Sequence, residues 1–349
     1  MDNSNQKVKT MKDIARLAGV SPSTASRALR DSPLISDATK ERVKKVAREH
    51  AYRLHRGARN LRLKKSNTIV VILPYDFDTE SALSNPYVHK MLGTVGSALR
   101  EHRYDLLVSH LEDIGPAIDD LYVHSGLADG AIILGRGDND PAKLAALAAT
   151  GIPFVVLGPE YENQGYCSVG INNITSAYQA VSHLAGLGRR RIAIISDNFD
   201  SPHSEACLRY WGYLRALAEW GLPVDKKLAI RSTTSARSGH ASVQVLLETS
   251  PDVDAIFVVS DVLAISVMQA LGEANRRVPE DVAVVGFDNI GLCDFTIPPL
   301  TSVSQRLNDG VATLLVEKLM QLIDGQAAES AMLEGKLVIR QSCGAHLAI

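Results

Sequence analysis

The stretch TMKDIARLAGVSPSTASRAL at residues 10–29 decides how the N-terminal part of this chain folds. Thr10 followed by Asp13 is the pattern of a capping box, and it predicts a short helix that ends at a glycine turn. Ser21 is a favourable N-cap. Pro22 suits the first position of a second helix, because an N–H there would have no intrahelical partner. Two short helices joined by a glycine turn are typical of a helix-turn-helix unit.

Charge is divided unevenly along the chain, whose 349 residues carry a net charge of −2. Residues 1–66 hold 17 Lys and Arg against 6 Asp and Glu, so this head carries +11 and the body carries −13. A basic head on an acidic body predicts that the head binds nucleic acid. A solvated, Lys-rich tail is the alternative, and the helix signals in the same residues argue against it.

The sequence predicts no membrane span, secretory signal, metal site or catalytic motif. Its longest apolar runs are strand-sized, short of the ~18 residues that cross a bilayer, and Met1–Thr10 lacks the apolar core of a signal peptide. The four cysteines stand apart without a CxxC pair, which is typical of a reduced cytoplasm. The GxG at 135–137 runs into acidic residues, and no P-loop, GxSxG or HExxH occurs. We therefore expect no enzyme and no cofactor.

The rest of the chain alternates strand-length β-branched runs with helix-length amphipathic segments. The predicted strands are 68–73, 105–109, 130–134, 153–157, 191–196, 228–231, 255–260, 282–287 and 337–340. The predicted helices are 88–102, 141–150, 173–187, 204–220, 261–275 and 308–324. Such alternation predicts parallel, doubly wound sheets, and about 280 residues exceed a single sheet of this type. We expect an α/β body of two Rossmann-like lobes, with a ligand cleft at the carboxyl ends of their strands.

Motifs along the whole chain carry a family resemblance. The head KTMKDIARLAGVSPSTASRALRDSPLISDATKERVKKVAREHAYR at 9–53 closely resembles the DNA-binding domain of the LacI/GalR family of bacterial repressors. Further matching motifs are ARNL at 58–61, NPY at 85–87, DG at 129–130, SD at 260–261, VVGFDN at 284–289, PPLTSVSQ at 298–305 and LVIRQS at 337–342. The family's body resembles periplasmic binding proteins, so the resemblance implies two lobes of that type joined by three crossovers.

The resemblance also implies where the parts of the chain begin and end. The expected parts are a helix-turn-helix DNA-binding domain at 1–55, a hinge helix and linker at 56–66, an N-terminal effector-binding lobe at 67–172 and 304–333, and a C-terminal effector-binding lobe at 173–303 and 334–349.

A set of DNA contacts follows from the same resemblance. The second helix would enter the major groove, with Pro22 and Ser23 at the family's specificity positions. Arg27 matches a family residue that contacts a base or a phosphate. The other candidate contacts are Thr10, Ser21, Thr24 and Ser26 on phosphates, and Arg59 in the hinge helix. Leu61 matches the leucine that the family wedges into the minor groove to kink the duplex. Ordinary helix packing is the alternative role for Leu61.

An effector site between the lobes is also implied. Arg209, with Gly212 three residues later, matches the family's ligand-contacting arginine, and Asp288 matches an acid that accepts hydrogen bonds from ligand hydroxyls. A structural salt bridge is the alternative role for both. The remaining candidates are Tyr87, Trp211, Phe287, Ser260 and Gln305, of which the three aromatic residues would pack on a sugar face. Asp261 is expected to cap the helix that begins there, and contact with the ligand is its alternative role.

Together these observations predict a dimeric, cytoplasmic transcriptional regulator, a repressor of carbohydrate-utilisation genes. It would bind a pseudo-palindromic operator in double-stranded DNA, with an affinity that changes when a small neutral sugar binds between the lobes. A neutral ligand is favoured because Asp76 and Asp78 lie near the expected cleft mouth, without a Lys/Arg cluster. A purine or nucleoside corepressor is the alternative. A dimer is expected because no leucine heptads follow the last strand.

Overall fold

The chain folds as two compact units, residues 1–64 and residues 65–349. The structure, a computed structural model, describes residues 10–29, 31–50, 52, 65–74, 85–111, 116–134, 141–197, 199–202, 204–233 and 238–347. Several positions singled out in the sequence lie outside the described ranges: residues 56–64 of the predicted hinge segment with Arg59 and Leu61, Asp76 and Asp78, and the GxG at 135–137.

Three helices make up the described part of the first unit: α1 (Met11–Leu17), α2 (Pro22–Ala28) and α3 (Asp37–Glu49). Gly19 lies between α1 and α2 at a φ of 63°, a left-handed conformation that suits glycine. The core is small and rich in alanine, so the three short helices approach closely. Its buried members are Ile14, Ala15, Ala18, Ala25, Ala28, Val43 and Ala47.

The N-termini of α1 and α2 are capped as their sequences predict. The Asp13 amide donates to the Thr10 hydroxyl at 3.3 Å, and the Thr10 amide donates to the Asp13 carboxylate at 3.0 Å, which completes a capping box. The Thr24 amide donates to the Ser21 hydroxyl at 3.1 Å, with Pro22 at the first helical position. These local bonds fix where each helix begins.

The second unit contains two six-stranded sheets, each covered by helices. Its strands are β1 (Thr68–Pro74), β2 (Asp105–Leu111), β3 (Gly130–Leu134), β4 (Phe154–Leu157), β5 (Cys167–Ile171), β6 (Ile192–Ser196), β7 (Ala229–Arg231), β8 (Ala255–Val258), β9 (Ala283–Asp288), β10 (Thr301–Ser304), β11 (Ala331–Leu333) and β12 (Lys336–Val338). Its α-helices are α4 (Pro86–Glu101), α5 (Pro141–Ala149), α6 (Asn173–Gly186), α7 (Glu205–Glu219), α8 (Ser238–Thr249), α9 (Asp261–Glu273) and α10 (Ala312–Ile323).

The sheets define two lobes. Lobe 1 contains the sheet ordered β11-β5-β4-β3-β1-β2 with α4, α5 and α10, and lobe 2 contains the sheet ordered β12-β10-β9-β8-β6-β7 with α6 to α9. Neighbouring strands run parallel, except that β12 pairs antiparallel with β10. The chain crosses between the sheets after β5, after β10 and between β11 and β12. The central strands β1, β3, β4, β6, β8 and β9 are buried on both faces, and they read as continuous apolar runs in the sequence.

The nine predicted strands are all present within two or three residues of their expected ends, but β5, β10, β11 and α8 were not predicted from the alternation. Strand β10 shows why. Its Thr301, Ser302 and Ser304 are buried polar residues, so the segment lacks an apolar signature. Packing keeps these hydroxyls inside because they find partners: Ser302 donates to Asp261 at 2.6 Å, and Thr301 accepts from the Arg340 amide at 2.8 Å.

All four cysteines are buried free thiols. Within the described ranges, no three His, Cys, Asp or Glu side chains are grouped so that they could hold a metal ion. The helices of that same part of the chain are too short or too polar to cross a membrane.

Candidate functional site

Polar residues lie at the carboxyl ends of three neighbouring parallel strands in lobe 2. Ser260 follows β8, Asp288 ends β9 and Gln305 follows β10. Asp288 pairs with Ser304 in the parallel register of β9 and β10, so Gln305, the next residue after Ser304, lies close to Asp288. Ligands of open α/β sheets bind at this edge. The sheet therefore gathers three of the predicted effector residues in one place.

Arg209 lies beside this edge and is almost completely buried, with 6% of its surface exposed. Its Nε donates to the Asn173 side chain, Nη1 to the Val259 carbonyl and Nη2 to the Glu205 carboxylate, each at 2.8 Å. Its guanidinium also stacks on Phe287, 3.8 Å from the ring centre. The bonds to Asn173 and Val259 tie α7 to α6 and to the end of β8, whereas the bond to Glu205 stays within α7. This geometry favours a structural role for Arg209.

Gly212 allows the helix that carries Arg209 to lie directly on its neighbour. A Cβ at this position would be 2.3 Å from the Ile174 carbonyl oxygen and 2.8 Å from the Ala177 Cβ, closer than atoms can approach. Only a glycine therefore permits this contact between α7 and α6. The close approach brings Arg209, one helical turn earlier, within hydrogen-bond distance of Asn173 at the start of α6.

Asp288 is buried, and this burial raises the pKa of its carboxyl group to about 7. The nearby Arg209 lowers the pKa, whereas the negative charges of Asp261 and Glu205 raise it. Gln305 Nε2 donates to Asp288 Oδ1 at 2.6 Å, and the Tyr87 hydroxyl donates to Gln305 Oε1 at 3.1 Å. Tyr87 belongs to α4 of lobe 1, so this chain of bonds extends from one lobe into the other.

The backbone at Asp288 and Asn289 is strained. Their φ angles are 111° and 50°, in the region that favours glycine, and each such residue costs about 1–3 kcal/mol. Bonds within lobe 2 hold the turn in place: the Asn289 amide donates to the Ser302 hydroxyl at 3.0 Å, and Arg340 Nη2 donates to Asn289 Oδ1 at 2.9 Å. Strain of this kind at a cleft is typical of a functional turn.

Asp261 does not cap its own helix, so that expectation was wrong. The N-cap position of α9 is Ser260, and the Asp261 carboxylate instead accepts hydrogen bonds from the Ser302 hydroxyl, the Ile290 amide and the Cys293 thiol. These partners lie on other elements, which sequence spacing does not reveal. Burial raises the pKa of Asp261 to about 6, and its hydrogen bonds oppose the rise.

The structure brings some predicted effector residues together and separates others. Tyr87, Gln305 and Asp288 are linked by hydrogen bonds. Phe287 does not present the open aromatic face expected of it, because it has no exposed surface and Arg209 covers its ring. Trp211 is 57% exposed. Burial raises the pKa of the neighbouring Cys207 thiol, and a hydrogen bond with Trp211 opposes the rise.

Sequence reasoning missed three residues of this site: Glu205, Asn173 and Lys90. Glu205 had a usable signal, because it precedes Arg209 by four residues on a predicted helix, the spacing of an ion pair. Asn173 and Lys90 had none, since their partners are distant in the chain.

The described candidate DNA-binding residues lie in the first unit, Thr10 at the start of α1 and the others on or directly before α2. Thr10, Ser21, Pro22, Ser23 and Arg27 are exposed, and Thr24 and Ser26 are half-buried. The Ser21 hydroxyl lies 2.8 Å from the hydroxyls of both Ser23 and Thr24. The second helix thus presents a proline, hydroxyls and one arginine to solvent. Arg59 and Leu61 belong to the part of the chain that the structure does not describe.

Comparison with known proteins identifies both units. Residues 10–54 match the family described as bacterial regulatory proteins, lacI family, and residues 181–343 match a periplasmic binding protein-like domain. CelR, an HTH-type transcriptional regulator of Thermobifida fusca, is 32% identical over 95% of this chain and 98% of its own length.

Two solved structures share the fold. The CelR–cellobiose complex is 30% identical, with a TM-score of 0.69 over 95% of this chain and 99% of that chain. The Lac repressor dimer bound to operator and the anti-inducer ONPF is 27% identical, with a TM-score of 0.82 over 96% of this chain and 98% of that chain. These matches confirm the predicted architecture, a helix-turn-helix head with a two-lobed body of periplasmic-binding-protein type. The relatives are transcriptional regulators and not enzymes, as the sequence predicted. On this identity and coverage, the chain belongs to the LacI family of bacterial regulatory proteins.

Proposed function

We propose that the chain is a dimeric, effector-controlled repressor of carbohydrate-utilisation genes. Its head binds a pseudo-palindromic operator, and a small neutral sugar in the cleft between the lobes changes operator affinity. The observation that carries this proposal is the polar edge of lobe 2, where Asp288 and Gln305 meet Tyr87 of lobe 1. A ligand at this edge would touch both lobes, and binding that favours one lobe arrangement shifts the equilibrium between arrangements.

The charges at the cleft favour a neutral ligand. Two carboxylates, Glu205 and Asp288, lie near a single guanidinium, and the three hydrogen bonds that Arg209 makes go to the protein itself. Because the Arg209 guanidinium is already bonded within the protein, an anionic ligand would gain no free ion pair from it and would meet the two carboxylates. Sugar hydroxyls suit the site, because they can donate to Asp288 and share Gln305. The solved complex of the related CelR contains cellobiose, a neutral disaccharide, which agrees with this class.

A thermal-shift screen of the full chain tests the ligand class. The panel contains neutral mono- and disaccharides including cellobiose, the matching sugar acids, purines and nucleosides. A ligand at 100 times its dissociation constant adds about 2.7 kcal/mol of stability, which raises Tm by about 5–10 °C. We expect a neutral sugar to stabilise the chain. If only purines or nucleosides stabilise the chain, the alternative ligand class is established. If only sugar acids do so, the argument that the cleft charges favour a neutral ligand is refuted.

A variant pair then locates the site. Asp288→Asn should weaken the stabilising sugar by about one to two decades, since a charge-assisted hydrogen bond is worth roughly 1.5–3 kcal/mol. Asp120→Asn is the matched control, because it changes an exposed carboxylate of lobe 1. Equal responses of the two variants would show that Asp288 does not contact the ligand.

Operator binding and assembly are tested on the same protein without effector. Selection from a random double-stranded DNA library should give a two-fold symmetric site, since two heads related by a dyad read two half-sites. Sedimentation at micromolar concentration should give a dimer. A monomer or a stable tetramer would contradict the proposed assembly.

A further inference from the structure

Helix α4 of lobe 1 reaches lobe 2 with two side chains one turn apart. Besides the bond from Tyr87 to Gln305, the Lys90 ammonium donates to the main-chain carbonyl oxygen of Asn289 at 3.0 Å. Residues three apart in a helix share one face, so both side chains project from the same side of α4. Neither the family motifs nor the charge pattern pointed to Lys90.

Both contacts end on the same strained turn. The Tyr87 chain continues through Gln305 to Asp288, and Lys90 binds Asn289, the next residue. The Asn289 amide and side chain are already bonded to Ser302 and Arg340 of lobe 2, which leaves its carbonyl oxygen as the group that lobe 1 holds. The turn at 288–289 is therefore fixed from both lobes.

We propose that Lys90 is a positioning residue, which fixes the Asp288–Asn289 turn from lobe 1 and, together with Tyr87, holds the two lobes together. Opening of the cleft breaks both contacts at once, because they start on one helix face and end on adjacent residues. The contact between Lys90 and the turn is independent of any ligand. Its consequence for effector affinity rests on the proposed function, in which Asp288 accepts from the ligand.

Lys90 also acts on the turn electrostatically. It is half-buried, and its bond places a positive charge beside the peptide between Asn289 and Ile290. Apolar contacts add to this restraint. Tyr87 packs against a hydrophobic cluster that contains residues of both lobes and also against a second cluster that belongs to lobe 2. Loss of the ammonium alone should therefore free the turn while the apolar contact keeps the lobes folded.

Hydrogen exchange on the full-length protein without effector tests the proposal. Lys90→Met keeps most of the side-chain stem and removes the donor, whereas Lys90→Arg keeps a donor. Arg100→Met is the matched control, because it removes an exposed positive charge from the other end of α4. We expect Lys90→Met to speed amide exchange about tenfold in the peptide at 286–293, the change that losing one hydrogen bond to a charged group brings.

The second peptide, at 301–308, separates a contact between lobes from a local one. If Lys90 and Tyr87 hold the lobes together, Lys90→Met also speeds exchange around Gln305, Lys90→Arg restores it and Arg100→Met leaves both peptides unchanged. Unchanged exchange at 286–293 in Lys90→Met refutes the proposal, and faster exchange confined to 286–293 refutes the link between lobes. If Lys90→Met fails to fold, Lys90→Arg decides. Exchange in both peptides at the rate of the Arg100→Met control supports the need for a donor at position 90, and faster exchange opposes it. These outcomes do not depend on whether any sugar binds.

Discussion

Replacing Arg209 by alanine should destabilise the body of the protein, and the size of the effect follows from its contacts. The side chain is 6% exposed, donates three hydrogen bonds at 2.8 Å and covers the Phe287 ring. Its removal takes the guanidinium away from Glu205. It also removes the donors of two buried acceptors, Asn173 Oδ1 and the Val259 carbonyl oxygen. Breaking a fully buried charge pair costs about 3–5 kcal/mol, and we use this range because the two unsatisfied acceptors add to the loss of the pair, in which the Glu205 side chain is 23% exposed. At about 2–3 °C per kcal/mol for a unit of this size, Tm falls by about 6–15 °C.

Urea unfolding followed by tryptophan fluorescence measures the loss of stability in lobe 2. Both tryptophans report on this lobe, because Trp211 lies in α7 and Trp220 directly after it. Arg231→Ala is the control in the same lobe. Its ion pair with Asp200 is exposed, and such pairs contribute about 0–1 kcal/mol.

A second change in the Arg209→Ala background gives a stricter test. Glu205→Gln should recover part of the lost stability, because a neutral amide is easier to leave without the guanidinium than a carboxylate is. Surface changes scatter by about 0.5 kcal/mol. If the free energy of unfolding of Arg209→Ala lies within that range of the Arg231→Ala control, the structural role of Arg209 is refuted.

Three further predictions concern pH, salt and the hinge. Burial raises the pKa values of Asp288 and Asp261 to about 7 and about 6 in the folded state, so their contribution to stability is complete below about pH 4 and is lost as the pH rises through these values. The Tm of the body should therefore fall between pH 5 and pH 8, and less so in Asp288→Asn; equal slopes in calorimetry would contradict the assignment. Operator affinity should drop about 10³–10⁵-fold between 50 and 200 mM salt if the head makes 6–10 phosphate contacts, and a flat fluorescence-anisotropy titration would remove the electrostatic argument. Leu61→Ala should weaken specific binding by one or two decades more than non-specific binding, because a wedge stabilises only the kinked site; a parallel fall of both affinities would assign Leu61 to packing.

The amino-acid sequence by itself determined the features of this protein that depend on near neighbours. The capping box of Thr10 and Asp13 and the proline after Ser21 set the starts of the first two helices, and the structure shows those bonds in place. The apolar runs of the buried strands stand out for a similar reason. A parallel strand covered on both faces must be apolar along its length, so its position can be read within a window of a few residues.

Tertiary structure alone decided which residues are partners at the cleft and where polar segments such as β10 form strands. Arg209 binds Asn173 and Val259, which are 36 and 50 residues away, and Tyr87 reaches Gln305 across 218 residues. Local spacing carries no information about such pairs, because the packing of whole helices and sheets sets their distances. The same packing supplies the partners that let β10 bury its hydroxyls and that draw the Asp261 carboxylate away from its own helix. A polar side chain is stable inside a protein only where a distant residue satisfies it, so its role is fixed when the chain folds.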